Sequence, residues 1–332
     1  MNHIVTNNNG IKVSIIIPVF NVSSYIERCI NSVLQQTYSN IECIIVDDAT
    51  PDDSIEKCEG IIKKYNKINF KILHHDHNRG LSAARNTGTF AATGDYLFYL
   101  DSDDEISHDC ISLLIEAVKK HPEIELVQGG IKSVPHVSFY DFNFLKDVTF
   151  VDDNIWIRKH FYCFENKLSV NAWNKLIKKT FITENSLYFK EGLIHEDELW
   201  MFFLVKKLKT ISIIHNKTYI HYVGTVGSIM STNTQKRAAQ HYAIILRNVL
   251  ENLDNPCFNE QLLSYGQLLF LFYGISDEYN ILFKLYISLL RKSNYTFVYL
   301  FIICLKKIYD VIKLSFIKRL IIISLRMAFD RI

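Results

Sequence analysis

The sequence predicts an α/β fold in which helices flank a mostly parallel β-sheet. Over the first 130 residues, short β-branched segments alternate with helical segments at intervals of roughly 20–30 residues, which is typical of βαβ units. Two of the strand segments end in aspartates. Because ligands of such sheets bind outside the carboxyl ends of the strands, we expect these carboxylates to lie at a ligand-binding edge.

The first predicted strand is a continuous β-branched run, as expected for a buried strand of a parallel sheet. The first two have the sequences VSIIIP and IECIIV, and the fourth has the sequence YLFYL. Asp47 and Asp48 end the second strand, and Asp101 ends the fourth. The predicted strands span residues 13–18, 41–46, 70–74, 96–100 and 125–128.

The helices between these strands are predicted from apolar residues that recur at helical spacing. Ser23 or Ser24 can cap the first helix at its N-terminus, and Gly94 stops the alanine-rich third helix. The four predicted helices span residues 21–36, 52–65, 80–92 and 107–121.

Beyond residue 130 the alternation weakens and the pattern becomes mainly helical. Two short strands are expected around a turn at Asn216 and Lys217, and aromatic and aliphatic stripes predict a helical region from residue 234 onward. The further predicted helices span 152–162, 170–178 and 196–207, and the two strands span 211–215 and 218–222.

The composition is that of a folded globular protein. Hydrophobic residues make up 48% and charged residues 22% of the 332 positions, and 12 glycines and 5 prolines are too few for a collagen-like or disordered chain. The seven cysteines form no CxxC pair, which argues against a zinc ribbon or a thioredoxin-like site. Their odd number, without a secretory leader pattern at the N-terminus, predicts reduced thiols in the cytoplasm.

The net charge of +2 conceals a basic C-terminal segment. Residues 284–332 contain ten lysines and arginines against two aspartates. Amphipathic basic helices can bind the anionic inner surface of a membrane, or they can pack as a subdomain with a solvated basic face. No run of about 20 apolar residues predicts a membrane span, so we expect peripheral attachment. No recognised RNA- or DNA-binding motif accompanies the charge, so we expect no nucleic-acid partner.

The sharpest local signal is Asp101-Ser102-Asp103-Asp104 at the end of the fourth strand. Two carboxylates in Asp-x-Asp spacing can bind one hard cation, and Mg²⁺ and Mn²⁺ prefer oxygen ligands. A cation in this place can stabilise a diphosphate leaving group. The alternative is a solvated acidic turn that caps the next helix, and Asp47 and Asp48 have the same alternative.

Four segments occur in order along the chain: VSIIIPVFN at 13–21, IIVDDAT at 44–50, NRGLSAARNTG at 78–88 and YLFYLDSDD at 96–104. Trp173-Asn174-Lys175 and His195-Glu196-Asp197-Glu198 follow them. Together the six segments resemble glycosyltransferase family 2. The resemblance implies a GT-A fold, with a Rossmann-like sheet flanked by helices.

The resemblance covers residues 12–232, about two thirds of the chain. It implies a glycosyltransferase domain with a nucleotide half at about 12–130 and an acceptor half at about 131–232. A flexible lead-in at 1–11 is expected before this domain, and a helical, basic region at 233–332 after it.

The resemblance implies a donor site for a nucleotide-diphosphate sugar, expected to be a UDP-sugar. Pro18, Phe20 and Asn21 would line the pocket for the base. Asp48 would accept a hydrogen bond from the uracil imide. In the third segment, Arg79 and Arg85 would face the phosphate and ribose.

The resemblance also implies a metal-dependent transfer that inverts the anomeric carbon. Asp103 would hold Mn²⁺ or Mg²⁺, and Asp101 would contact the metal or the ribose. Asp197 would be the general base that deprotonates the acceptor hydroxyl, with Glu196 binding substrate beside it. The alternative for the last two residues is an acidic first turn that the helix dipole favours.

Several of these residues also have a purely structural interpretation. Trp173 could stack on an acceptor sugar or lie in the core. Arg85 could pair with Asp95 while its helix packs on the sheet. His221 matches a metal- or diphosphate-binding histidine only loosely. The histidines around Asp76 lack the spacing of a zinc site, so Asp76 is expected to position its loop.

The sequence as a whole therefore predicts a cytoplasmic glycosyltransferase, peripheral on the inner membrane surface. It would transfer a sugar to a glycan or a lipid-linked acceptor in surface-polysaccharide synthesis. Three alternatives remain: a catalytically silent nucleotide-sugar-binding or scaffold protein, a membrane-associated structural protein, and a hydrolase of nucleotide sugars.

Overall fold

A nine-stranded β-sheet runs through the protein and carries helices on both faces. The computed structural model describes residues 10–65, 68–137, 148–162, 168–225, 235–272, 276–293 and 323. The strands are β1 (Val13–Val19), β2 (Ile41–Asp47), β3 (Asn69–His74), β4 (Tyr96–Tyr99), β5 (Glu105–Ile106), β6 (Leu126–Val134), β7 (Phe150–Val151), β8 (Lys175–Lys178) and β9 (Ile211–Tyr222).

Ten helices are present in these described ranges. They are α1 (Ile26–Leu34), α2 (Ser54–Ile62), α3 (Leu81–Ala91), α4 (Cys110–Lys120), α5 (Asn154–Tyr162), α6 (Lys179–Glu184), α7 (Glu196–Lys207), α8 (Gln235–Glu251), α9 (Phe258–Phe272) and α10 (Asp277–Leu290).

The first half of the sheet has the predicted βαβ arrangement. β3, β2, β1 and β4 lie side by side in this order, and every neighbouring pair is parallel. The carboxyl ends of β1, β2 and β4 therefore meet at one edge. This edge receives Asp47 and Asp48 after β2 and Asp101 after β4.

The second half of the sheet is mixed. β8 lies between β4 and β6 and is antiparallel to both. β6 and β9 are parallel, whereas β5 and β7 pair antiparallel with β9. The prediction of a mostly parallel sheet thus holds for the first four strands, and β8 reverses the direction beyond them.

Side chains of each central strand alternate between two apolar layers, because successive residues of a strand point to opposite faces. Ile15 and Ile17 pack with α1, α2 and α4, whereas Ile16 faces the layer that contains α3, α5 and α7. Each aliphatic side chain buried in this way contributes roughly 1.5–3 kcal/mol. The continuous apolar strands are therefore explained by coverage on both faces.

Residues 170–178, predicted as a helix, instead form an irregular turn followed by β8. Asn174 has a φ of 58°, in the left-handed region, and this interrupts any helix. Leu176 and Ile177 are buried on opposite faces of the sheet, which is the two-residue period of a strand. The prediction was wrong because a short apolar run fits either period.

The two strands predicted on either side of Asn216 and Lys217 are one continuous strand, β9. Its register against β6 shifts on both sides of Gly130, so the extra residues form β-bulges. The polar pair that suggested a turn lies within this irregular stretch. The short elements β5, β7 and α6 carried too few residues for a periodic signal.

The C-terminal helical region is confirmed in its described part. The buried side chains of α8, α9 and α10 belong to the same apolar layer as α7. Tyr265 of α9 packs edge-on against Phe202 of α7, with ring centroids 5.7 Å apart. Among the helices of the described residues, none is both long and apolar enough to cross a membrane. Most of the predicted basic segment, 294–332, lies outside the described residues apart from Ile323.

We expect Gly88→Ala to destabilise the protein, because α3 packs closely on β1 at this position. A Cβ at position 88 would lie 2.3 Å from Ile16 Cγ2. The cost should be roughly 1–3 kcal/mol in the free energy of unfolding, measured with urea. Gly60→Ala in α2 is the matched control, since nothing lies within 4 Å of its Cβ. It should stabilise by about 0.5–1 kcal/mol, and equal effects of the two substitutions would contradict this packing.

Candidate functional site

The predicted site residues gather where the carboxyl ends of β1, β2 and β4 approach the N-terminus of α7. β2 ends at Asp47, and the turn after β4 begins with Leu100 and Asp101. α7 begins at Glu196, as predicted. The sheet topology thus brings together residues that lie nearly 100 positions apart in the sequence.

Asp48 is a buried carboxylate that is bonded to the loop before α3. Its oxygens accept hydrogen bonds from the N–H groups of Arg79 at 2.8 Å and Gly80 at 2.7 Å. His75 Nδ1 lies 2.6 Å from Asp48 Oδ1. Gly80 has a φ of 87°, which a glycine adopts without steric cost. About four acceptor positions exist on a carboxylate, so roughly one remains for a ligand.

Pro18, Phe20 and Asn21 lie at the carboxyl end of β1, as expected for the wall of a base pocket. Phe20 is 45% exposed, an unusual position for a large apolar side chain. Asn21 has a φ of 55°, and its N–H donates to Thr50 Oγ1 at 2.7 Å. This bond holds the end of β1 against the loop after β2. An exposed ring in this place offers a surface on which a base can stack.

The Arg79 side chain lies at the surface of the same edge. Its guanidinium donates to Glu191 at 3.2 and 3.3 Å, and both side chains are more than a third exposed. Exposed ion pairs of this kind contribute about 0–1 kcal/mol. A phosphate can therefore displace Glu191 at little cost.

Arg85 is a buried cation that joins two parts of the site. One nitrogen of its guanidinium donates to Asp101 Oδ1 at 2.7 Å, and the other donates to Glu196. Burial alone would lower the pKa of Arg85, but the charges of Asp101 and Glu196 raise it above its ordinary value. The structural alternative, a pair with Asp95, is wrong: the Asp95 carboxylate accepts a hydrogen bond from the Lys12 N–H at 2.7 Å. Arg85 therefore links the turn after β4 to the first turn of α7.

Asp104 ties the turn after β4 to the end of β9. Its buried carboxylate accepts hydrogen bonds from the Tyr219 hydroxyl at 2.9 Å and the Tyr222 N–H at 2.8 Å. His221 Nδ1 lies 3.1 Å away. Burial raises the pKa of Asp104, and His221 partly offsets this effect. Burial would lower the pKa of His221, but Asp104 raises it above its ordinary value. His221 is thus a hydrogen-bonded partner of Asp104.

Asp103 is half-buried and is less completely bonded than Asp104. Its Oδ2 accepts a hydrogen bond from the Thr225 hydroxyl at 2.7 Å. Burial, and then the charges of Asp104 and Asp101, raise the pKa of Asp103 to about 6. A carboxylate in this environment is stabilised by any cation that binds beside it.

Arg28 and Tyr222 support Asp103 and were not anticipated from the sequence. The Arg28 guanidinium, on α1, donates to the Asp103 carbonyl and lies 3.6 Å from the centroid of the Tyr222 ring. The Tyr222 hydroxyl donates to Glu105 at 2.7 Å. No local pattern marks Arg28, because Asp103 lies 75 residues further along the chain.

The carboxylates after β4 suit a hard divalent cation. Both oxygens of Asp104 are bonded, whereas Asp101 and Asp103 each keep one oxygen without a hydrogen bond from the described residues. No group of three or more histidine, cysteine, aspartate or glutamate side chains in the described residues could hold a metal ion alone. Two carboxylate oxygens, completed by waters or phosphate oxygens, are a usual set for Mg²⁺ or Mn²⁺.

Asp197 lies in the first turn of α7, beside Glu196. Its Oδ1 accepts a hydrogen bond from the Glu198 N–H at 3.0 Å. Burial, and then the charges of Glu196 and Glu198, raise the pKa of Asp197 well above its ordinary value. A carboxylate with a raised pKa is a stronger base, which suits a general base near neutral pH.

The residue before α7 has an uncommon backbone conformation. His195 has a φ of 61°, in the left-handed region, and its ring stacks on Tyr242 of α8 at 4.6 Å. Non-glycine residues in this region cluster at functional sites, where the surrounding structure holds them. The C-terminal helices thus contribute directly to the surroundings of Asp197.

The structure places Trp173 in the core beside the turn after β4. It is 6% exposed and stacks on Tyr219 at 4.4 Å and on His221 at 5.2 Å. This placement favours the core alternative over an open surface for an acceptor sugar. Trp173 holds the two rings that contact Asp104.

The histidine-rich segment after β3 forms separate pairs. His74 Nδ1 lies 2.9 Å from Asp47, and His77 Nδ1 lies 2.6 Å from Asp76. Both His77 and Asp76 are exposed, and the buried carboxylate that holds the loop is Asp48. The expectation that Asp76 positions this loop stays a prediction.

Comparison with known sequences identifies the kind of domain that carries this site. The family model for glycosyl transferase family 2 matches residues 14–170. Glycosyltransferase GlyA of Streptococcus pneumoniae serotype 4 is 33% identical over 236 residues, which cover 68% of this chain and 32% of GlyA. The chain thus spans about a third of the length of that relative.

Comparison with solved structures concerns the fold. Staphylococcus aureus TarS 1–349, in complex with UDP-GlcNAc, superposes with a TM-score of 0.62 at 21% identity, over 80% of this chain and 73% of TarS. Mannosyltransferase PcManGT from Pyrobaculum calidifontis, in complex with GDP-Man and Mn²⁺, gives 0.59 at 13% identity, over 98% and 87%. These likenesses confirm the predicted GT-A fold.

We expect Arg85→Gln to destabilise the protein strongly, because it leaves Asp101 and Glu196 facing each other without their shared cation. Breaking a buried ion pair in this way costs about 3–5 kcal/mol. Arg79→Gln, the same change six residues earlier in an exposed pair, should cost less than about 1 kcal/mol. Urea unfolding measures both. Similar losses for the two variants would show that the Arg85 bridge does not hold the site together.

Proposed function

Because the chain belongs to glycosyltransferase family 2, we propose that it transfers a sugar from a nucleotide-diphosphate sugar to an acceptor hydroxyl. The observation that carries this proposal is the buried Arg85, bonded to both Asp101 and Glu196. Glu196 is adjacent to the candidate base Asp197, so this guanidinium links the turn that carries the candidate donor carboxylates to the helix turn that carries the candidate base.

The proposed reaction is a single displacement with Asp197 as general base. The acceptor oxygen attacks the anomeric carbon while Asp197 takes the hydroxyl proton. The bond between the anomeric carbon and the diphosphate oxygen breaks, and the nucleoside diphosphate leaves. One displacement inverts the anomeric centre, and no second carboxylate is needed as a nucleophile, unlike in retaining hydrolases.

Asp101 and Asp103 are the proposed ligands of a divalent cation, Mn²⁺ or Mg²⁺. When bound, the cation neutralises the charge that develops on the leaving diphosphate. The exposed Arg79 guanidinium is proposed to leave Glu191 and bind a phosphate of the donor. Asp104 stays bonded to β9 and keeps the turn in place.

We propose a UDP-sugar as the donor. The exposed Phe20 ring and Pro18 provide a surface for the base, and the remaining acceptor position of Asp48 suits an imide N–H. The TarS structure, which holds UDP-GlcNAc, supports this choice by similarity of fold, whereas PcManGT holds GDP-Man. The sugar is a hexose or an N-acetylhexosamine.

The proposed acceptor is a growing glycan or a lipid-linked sugar in surface-polysaccharide synthesis. The ten cations among residues 284–332 would attach the enzyme to the cytoplasmic face of the membrane. No nucleic-acid partner is proposed. This step rests on the charge of the C-terminal segment and on the family.

Asp197→Asn should abolish sugar transfer but leave nucleotide binding intact. Loss of a general base lowers kcat by roughly 10²–10⁴-fold. The base acts when ionised, and the pKa of Asp197 is raised. Activity of the wild type should therefore be lost, as pH falls, at a higher pH than for an ordinary aspartate. Asp76→Asn, at an exposed aspartate, is the control. Full activity of Asp197→Asn would exclude Asp197 as the base.

Calorimetry with UDP, GDP and dTDP, with and without Mn²⁺, tests the donor site. We expect UDP to bind tightly only with Mn²⁺, and Asp103→Asn to remove the effect of the metal. Tight binding of another nucleotide would change the donor class, and binding of none would favour a scaffold role. Product analysis with and without an acceptor then separates a transferase from a hydrolase.

A further inference from the structure

His75 follows β3 and lies beside Asp48, which follows β2. The two strands are parallel, and their register places His74 opposite Asp47. The next residue of each strand therefore lies at the same edge of the sheet. The His75 N–H donates to the Asp47 carbonyl at 2.9 Å, which extends the pairing of the strands by one residue. The sheet thus places an imidazole next to the carboxylate that is the candidate partner of the donor's base.

The imidazole of His75 is enclosed and has a partner at each nitrogen. Its side chain is 5% exposed, and that of Asp48 is 4% exposed. Because an ionised carboxylate only accepts hydrogen bonds, we assign the hydrogen to His75 Nδ1, which donates to Asp48 Oδ1 at 2.6 Å. His75 Nε2 lies 2.9 Å from the Thr87 hydroxyl of α3. Partners on both sides of the ring fix its orientation.

The three donors to Asp48 are distributed unequally over its two oxygens. Oδ1 accepts from His75 and from the Arg79 N–H, whereas among the described residues Oδ2 accepts only from the Gly80 N–H. Since each carboxylate oxygen has two lone pairs, the acceptor position that remains lies on Oδ2. Of the three donors, only His75 acts through its side chain, so substitution at this residue can remove its bond without changing the loop backbone.

We propose that His75 is a positioning residue that fixes the Asp48 carboxylate with Oδ2 free, and so sets the preference for a base that presents an N–H. This inference rests on the proposed function, in which Asp48 accepts a hydrogen bond from the uracil imide. Without His75, a lone pair of Oδ1 is freed and the carboxylate is no longer held in one orientation. Where uracil has its imide N–H, cytosine has a ring nitrogen without hydrogen. A buried acceptor that loses its donor disfavours such a ligand.

Calorimetry of the full chain with UDP and Mn²⁺ tests this role, and CDP is measured by its displacement of UDP. His75→Asn and His75→Gln form a matched pair, because the amide nitrogen of asparagine reaches the position of Nδ1 and that of glutamine the position of Nε2. We expect His75→Gln to weaken UDP binding about tenfold, the usual effect of losing a hydrogen bond to a charged group, and to leave CDP binding unchanged. His75→Asn should retain the preference for UDP. His77→Gln, at an exposed histidine, is the control and should have no effect.

Equal weakening of UDP and CDP by His75→Gln, or no weakening, would overturn the inference, since a purely structural histidine does not distinguish the two bases. His75→Phe, which keeps a ring without a donor, replaces His75→Gln if urea unfolding shows that the latter does not fold. Asp48→Asn separates this inference from the proposed function. If Asp48→Asn loses the preference for UDP and His75→Gln keeps it, the role of His75 fails alone. If Asp48→Asn binds UDP like the wild type, the role of Asp48 fails, and that of His75 with it.

Discussion

The buried guanidinium of Arg85 is the contact on which the arrangement of the site depends. Asp101 follows a strand, and Glu196 begins a helix nearly 100 residues later. Two carboxylates at these places would repel each other, but a cation between them turns repulsion into attraction on both sides. The position of the cation is itself fixed, because α3 packs against β1 where Gly88 faces Ile16. The sheet therefore sets the distance between Asp101 and Glu196 through helix α3 and the Arg85 side chain.

The aspartates of the site fall into two physical classes. Asp48 and Asp104 are buried, and groups from distant segments saturate most of their acceptor positions. They hold a loop and a turn in place. Asp103 and Asp197 receive fewer hydrogen bonds, and burial, followed by the charges of neighbouring carboxylates, raises the pKa of each. Asp48 and Asp104 thus hold the site in shape, whereas a bound cation or proton would stabilise Asp103 and Asp197.

Local sequence patterns predicted the elements in which apolar residues follow a single spacing, either that of a helix or that of a strand. The strands β1, β2 and β4 are almost continuously buried, and α7 starts at the acidic pair Glu196-Asp197, which is typical of a helix N-terminus. The segment 170–178 could not be predicted, because the left-handed Asn174 is stabilised by carbonyls of β6. The contacts of Arg28 and Arg85 could not be predicted for the same reason. They join residues that are far apart in the sequence, and a short sequence segment does not indicate such contacts.

α7 shares one apolar core with α8, α9 and α10, and this limits the exchange of these helices between related proteins. His195 stacks on Tyr242, and Tyr265 packs against Phe202, so the C-terminal helices contact the helix that carries Asp197. Recombination that exchanged these helices between relatives would also have to exchange a matching face of α7. The C-terminal helices and α7 therefore form one packing unit.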